Sequence, residues 1–370
     1  MGTSIKRVFC IQIYIGLVLA CLYLLPEFCS GHELDKTVRK AYELRMKGQA
    51  DSAKVLIEHV LAEDSTHAAA WYELARIKHH IGLGNPRILF TGLDDLQQTI
   101  GQAVDYDPDN VIYLFYQGNI CFTRVYVSMM RQQPEVRDQV KETISAYESV
   151  LKLKPDYYEV KLFLVELLKM VPPDMGGDSV KAEKYTRELE KADVVFGAKA
   201  REMIMPEETD DIAFWEQILK NQMDNADVHE ALGKAYLHHN RIKEATQCFG
   251  KAIQLDAGKN ILHVDLGRYY LMQVMQNPAL IDSLAPLLRQ NFEIYLSSQP
   301  EPINPLKAFV LGTLAKISFQ TGDQDTGERL NKEAMALDPN YSKAFGIPGQ
   351  ILFDPPDEIS HFHAWFSRPF

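Results

Sequence analysis

The histidines of this chain are candidates for metal or acid–base chemistry. His79-His80 and His238-His239 are adjacent pairs, and His361-x-His363 is a third constellation. Imidazole ligates transition metals and moves protons near neutral pH. A helix presents two ligands on one face at i and i+4, whereas adjacent residues project about 100° apart. Both adjacent pairs fall late on a predicted helix, where a cation complements the helix dipole. Solvated helix-end histidines are therefore expected, and no metal site. His361 and His363 lack a nearby cysteine or a positioned carboxylate.

The acidic cluster Glu207, Glu208, Asp210 and Asp211 follows Pro206 and precedes an apolar run. Carboxylates favour the first turn of a helix, so this cluster reads as a helix start. Gly176-Gly177-Asp178 lacks the rest of a phosphate loop, and no Gly-x-Ser-x-Gly, Walker-type or His-Glu-x-x-His motif occurs. No catalytic residue is assigned, no cofactor is implied, and an enzyme is not expected.

The elements carrying these residues are helical. In residues 231–253, ALGKAYLHHNRIKEATQCFGKAI, Leu232, Gly233 and Tyr236 share one face of a first helix. Ala245, Phe249 and Ala252 share one face of a second. Gly233 and Ala245 permit close approach, and Tyr236 and Phe249 fill the space beside them. Asn240 suits the position just past a helix end. The Leu-Gly-x-x-Tyr pattern recurs 34 residues on, at Leu266, Gly267 and Tyr270.

This spacing resembles the tetratricopeptide repeat, whose first helix carries Trp, Leu-Gly and Tyr and whose second carries Ala, Phe, Ala and Pro. Trp71, Leu74 and Ala75 fit an early first helix, and Ala103 and Pro108 the end of its partner. Tyr147, Val150 and Pro155 fit again, as do Ala315, Ala334 and Pro339. An initial repeat over Leu34–Thr66 keeps Ala41, Leu44 and Ala53, while residues 158–225 match poorly. The resemblance implies an all-α, right-handed α-solenoid of about eight helix pairs within residues 32–346.

The regular distance from the first-helix small residue to the closing Pro is 24 residues. It is 33 from Ala75 to Pro108, 37 from Gly118 to Pro155 and 33 from Gly267 to Pro300. The excess falls between the helices of a pair, in GNPRILFTG, MMRQQPE and MQNPALIDS. VPPDMGGDS is a similar turn, with Asp178 or Ser179 placed to cap the following helix.

In the tetratricopeptide family, set first-helix positions line a concave groove. The register implies a lining of Tyr72, Arg76, His79, His80, Phe115, Asn119 and Phe122, then Glu166, Lys169, Glu230, Lys234, His238 and Arg268. Aromatics mixed with both charge signs suit a protein or peptide partner. The Lys, Asn and Arg pattern by which chaperone-binding members clamp a terminal carboxylate is not reproduced.

Lys6 and Arg7 precede the apolar run Val8–Leu25, which reads as an export signal. Residues 1–31 are expected to be cleaved before His32. Lipidation at Cys21 and retention as a membrane anchor are the alternatives. The whole chain carries a net charge of −11, which counts against a nucleic-acid partner. Only Cys121 and Cys248 follow the leader, too few for a disulfide framework, and both are expected as buried free thiols. Residues 347–370 form a Pro-broken tail with Phe362, Trp365, Phe366 and Phe370, expected to cap the array or dock on a partner.

The expected function is an exported, non-enzymatic scaffold in the periplasm or cell envelope. It would bind another protein or peptide along its groove and touch the membrane only through its N-terminal segment. The alternative is a solute- or glycan-binding component of an envelope uptake system.

Overall fold

The computed structural model describes residues 33–344 apart from residue 207. The leader, Cys21, the His361-x-His363 pair and the aromatic tail lie outside the described residues. All regular elements among the described residues are helices. None of those helices is long and apolar enough to cross a membrane.

The helices come in pairs. Helix α1 (residues 33–46) is followed by α2 (Ala50–Glu63), and α3 (Ala68–Leu83) by a short α4 (Pro86–Thr91) and α5 (Leu93–Tyr106). Then come α6 (Val111–Met130) with α7 (Val136–Leu153), α8 (Tyr158–Met170) with α9 (Ser179–Ala192), and α10 (Val194–Ile204) with α11 (Asp211–Leu219). Last are α12 (Ala226–His238) with α13 (Ile242–Leu255), α14 (Leu262–Gln276) with α15 (Ile281–Leu296), and α16 (Asn304–Gln320) with α17 (Gln324–Leu337). Short polar side chains start many of them by accepting orphan backbone N–H groups. Asn110 accepts from the Ile112 N–H at 3.1 Å, Asn225 from Asp227 at 3.0 Å, and Asp178 from Lys181 at 2.9 Å.

First and second helices differ in how much they bury. Helix α13 buries only Ala245, Phe249 and Ala252, a single stripe. Helix α16 is buried almost all round, from Pro305 to Ser318. A helix apolar on every side belongs inside, and an amphipathic one at the surface. First helices thus form an inner layer and second helices an outer one.

One contact recurs between the layers. A Cβ on Gly233 would lie 2.5 Å from the Phe249 ring, one on Gly118 2.5 Å from Tyr147, and one on Gly267 2.1 Å from Phe292. Each inner glycine is thus a seat for an outer aromatic ring. Phe249 and Phe292 are essentially inaccessible, and truncating such a ring to Ala costs about 3–5 kcal/mol.

The lengthened turns fall where the spacing places them. GNPRILFTG forms α4, MMRQQPE follows a 20-residue α6, and Pro278–Leu280 and Pro173–Met175 are single 3-10 turns. The fifth pair departs from the pattern. Helix α10 packs on α8 and α9, helix α11 packs on α12, and α10 and α11 make little contact with each other. A Cβ on Gly197 would lie 2.5 Å from the Glu190 Cα, so the small residue of α10 is spent on α9. This accounts for the poor repeat match over 158–225.

The array closes on itself. The segment after α17, with a 3-10 turn at Tyr341–Lys343, packs against α16 and α3. Leu83 and Leu89, from the second pair, belong to the same apolar cluster as Leu311, Leu330 and Tyr341. Two glycines make room for this approach. Gly48, at φ +80°, has the Leu337 carbonyl oxygen 2.0 Å from where a Cβ would sit, and Gly84 has the Asn340 carbonyl oxygen at 2.8 Å. Nothing in the repeat register signals this return.

Candidate partner-binding face

The inner layer of the later pairs carries a connected band of charge. Lys259 is 1% exposed and donates to Asp227 at 2.7 Å and to Glu230 at 2.6 Å. Lys234 bonds Glu230 one turn away on α12 and lies 3.9 Å from Asp265 on α14. Burial works against the Glu230 charge, but Lys234, Lys259 and Lys199 more than offset it and hold this carboxyl well below the usual range. Lys199 on α10 is nearly buried over the Phe196 ring, and burial pulls its ammonium down.

Asp265 is the exception in this band. It is 7% exposed, and neither carboxylate oxygen has a hydrogen-bond partner. Burial pushes its carboxyl up to about 7, against the pull of Lys234 and Arg268. Arg268, half-buried one turn along α14, is pulled down to about 10 by burial. Glu166 on α8 is likewise pushed up to about 7 by burial. Lys316 on α16 has open surface, yet the surrounding protein lowers its ammonium. In each of these groups burial by the neighbouring helices disfavours the charged form.

The expected groove residues do not share one surface. Glu230, Lys234 and Arg268 meet in the charged band. Tyr72, Arg76, His79 and His80, all on α3 of the second pair, are buried instead of lining an open surface, and His80 reaches the returning segment. His80 Nε2 is 2.6 Å from Asp338 Oδ2, and the His80 ring lies 4.5 Å from that of Tyr341. His79 Nδ1 is 3.0 Å from the Tyr116 hydroxyl, and burial lowers its imidazole to about 3. Arg76 donates to the Tyr72 hydroxyl at 3.3 Å, and a buried Arg45 donates to Glu73 at 2.6 and 3.3 Å. The solvated helix-end reading of His79 and His80 is therefore corrected: Tyr116 of α6 meets His79, and Asp338 and Tyr341 of the returning segment cover His80. Register alone could not reveal the His80 contact, because Asp338 lies 258 positions away.

Phe115 and Phe122 are also buried rather than groove-lining. The Phe115 ring stacks on Tyr157 at 5.0 Å, and Phe122 meets Phe163 edge-on at 5.9 Å. Asn119 is half-buried and accepts from the Tyr147 hydroxyl at 2.8 Å. These three serve the core between inner and outer layers. Lys169 is exposed at the end of α8.

His238 and His239 are exposed at the end of α12, as expected, and Asn240 adopts a left-handed φ of 58°. The sequence reading missed Asp211, which is buried at the start of α11 and lies 2.7 Å from His239 Nε2. Asp210 supplies the first-turn cap, accepting from the Ala213 N–H at 2.9 Å. Cys121 is buried, Cys248 half-buried, and burial pushes the first thiol up to about 12 and the second to about 11. Neither thiol is poised as a nucleophile.

No protein-family model matches the sequence, and no curated protein matches it. Solved structures similar to the chain include TTC0263, a thermophilic TPR protein of Thermus thermophilus, at 18% identity and TM-score 0.34, covering 60% of this chain and 92% of that one. A tetratricopeptide repeat protein from Parabacteroides merdae is 12% identical at TM-score 0.33, covering 87% and 96%. A human IFIT1 dimer with PPP-AAAA is 14% identical at TM-score 0.36, covering 80% and 75%. None superposes well enough to inform the site. The repeating hairpins, with a glycine seating an aromatic ring, define this chain as an all-α solenoid of tetratricopeptide-like pairs.

Proposed function

We propose that the chain is a non-catalytic scaffold that binds another protein or peptide on the inner layer of its helical array. The observation carrying this reading is Asp265, a buried carboxyl whose oxygens lack donors, set beside Lys234 and Arg268 on the inner layer. A buried acceptor without a donor is costly in a protein that has no use for it. Backbone N–H or cationic groups of a bound segment would complete it. The mixed charges around it would set the segment's register more than its affinity. The apolar run at Val8–Leu25 supports export to the periplasm or cell envelope, where such a scaffold would organise a complex.

The test is site-specific photo-crosslinking in cells that make the protein. A photoreactive residue at Lys316, on the inner layer, is compared with one at Lys251, half-buried on outer helix α13. One protein crosslinked from position 316, absent from 251 and lost on adding Asp265→Ala, supports the reading. Equal crosslinking from both positions, or none from 316, defeats it.

A further inference from the structure

We propose that Asp211, His238 and His239 form a binding site for a divalent transition-metal ion of the Zn2+, Ni2+ and Cu2+ class. One ligand atom from each residue lies within 4.8 Å of the other two. The objection from sequence was that adjacent histidines on a helix diverge. That objection fails here because the helix ends between them. His238 is the last residue of α12, and His239 follows at φ −89°, ψ 16°, with the chain turning away through the left-handed Asn240. The two rings consequently stand 5.2 Å apart and nearly perpendicular, at 88°.

The third ligand arrives from another helix. Asp211 is the first residue of α11, and its carboxylate is 4% exposed and fixed against His239. The geometry thus joins one buried, oriented carboxylate to two exposed imidazoles that can turn. Tetrahedral ligands about 2.0–2.2 Å from zinc lie about 3.4 Å from one another, so closing the set needs about 1 Å of movement. Rotation of the two histidines supplies it without moving either backbone. Two nitrogens and one oxygen suit borderline transition ions and not Mg2+ or Ca2+, which take oxygen ligands. A single carboxylate with two neutral imidazoles leaves the fourth position to water, as at open zinc sites.

The location gives the site a mechanical role. Helix α11 makes little contact with α10 and packs instead on α12. A metal bridging Asp211 to His238 and His239 ties the start of α11 to the end of α12 and so reinforces the packing that holds α11 in the array. This role is independent of what the inner layer binds.

The experiment uses the full-length chain, purified in mild detergent without a histidine tag, stripped with chelator and dialysed against micromolar ZnCl2. Elemental analysis and a titration should give one zinc per chain. Asp211→Asn should weaken binding at least tenfold, and His238→Ala/His239→Ala should abolish it. The His361→Ala/His363→Ala variant should bind as wild type does. Continuous-wave electron paramagnetic resonance of the Cu2+-loaded protein should show coupling to two nitrogens, and this holds even if a ligand variant folds poorly. No bound zinc, zinc retained in the His238/His239 double variant, or loss confined to the His361/His363 variant would each overturn the assignment.

Discussion

His80 Nε2 lies 2.6 Å from Asp338 Oδ2, and both side chains are fully buried although 258 residues separate them. The pair joins the second helix pair to the segment that ends the last one. Asp338 Oδ1 accepts from the Asn340 and Tyr341 N–H groups at 2.8 and 3.0 Å, whereas His80 Nδ1 and the Tyr341 hydroxyl are buried without a hydrogen-bond partner. An open solenoid would leave these groups in water; here they hold the array shut.

Breaking one partner of a buried pair strands the other, at a cost of about 3–5 kcal/mol. Asp338→Ala should therefore destabilise the protein by about 3 kcal/mol in chemical denaturation. It should also raise the radius of gyration in small-angle X-ray scattering, because the lost contact is the one between chain ends. A compact variant with unchanged radius would show that the remaining seam contacts suffice.

Glycine substitutions should split by position. Gly48→Ala forces a Cβ onto the Leu337 carbonyl at φ +80°, and a loss of about 2 kcal/mol or more is expected. Gly101 and Gly250 have open space within 4 Å and sit inside α5 and α13. Gly→Ala there should stabilise by about 0.5–1 kcal/mol through helix propensity. Thermal denaturation of the three variants reads all of this at once.

Stability should fall between pH 5 and pH 8 because of the inner-layer carboxyls. Burial pushes Asp265 and Glu166 up to about 7, so the folded state holds their protons more tightly than the unfolded chain does. Their contribution is full below the ordinary carboxylate value and is lost as pH rises towards 7. Asp265→Asn should therefore stabilise by about 2 kcal/mol at pH 8 and change little at pH 4. Glu230 acts in the opposite sense: its lowered carboxyl contributes above the ordinary value and loses that contribution as pH falls further. Melting temperatures across pH 3 to 8 should show a maximum near pH 5, flattened on the alkaline side by Glu166→Gln/Asp265→Asn.

Much of the fold is legible in the sequence because it is local. Gly233 with Phe249, Asp178 at its cap and Asn240 past its helix each act within about 20 residues, where spacing predicts contact. The seam is not legible. Asp256 and Asp338 both follow a second helix and both accept from a backbone N–H two residues on, at 2.8 Å. Only the other oxygen of Asp338 reaches His80, and no periodicity encodes a contact over that separation. For the same reason His80 reads as a groove residue until the last segment is laid across it. Asp211 escaped because a carboxylate in a helix's first turn already has a sufficient local explanation.

Closure of the array is the feature that its repeat pattern least foretells, so it should be measured first. Asn304 Nδ2 lies 3.3 Å from the Lys47 carbonyl oxygen across the seam. Cysteines at Lys47 and Asn304, treated with a short bismaleimide, should join within one chain, and digestion with mass spectrometry should recover the 47–304 crosslinked peptide. Failure to recover it, from a variant that folds and whose two cysteines react with a monofunctional maleimide, would mean that the array is open.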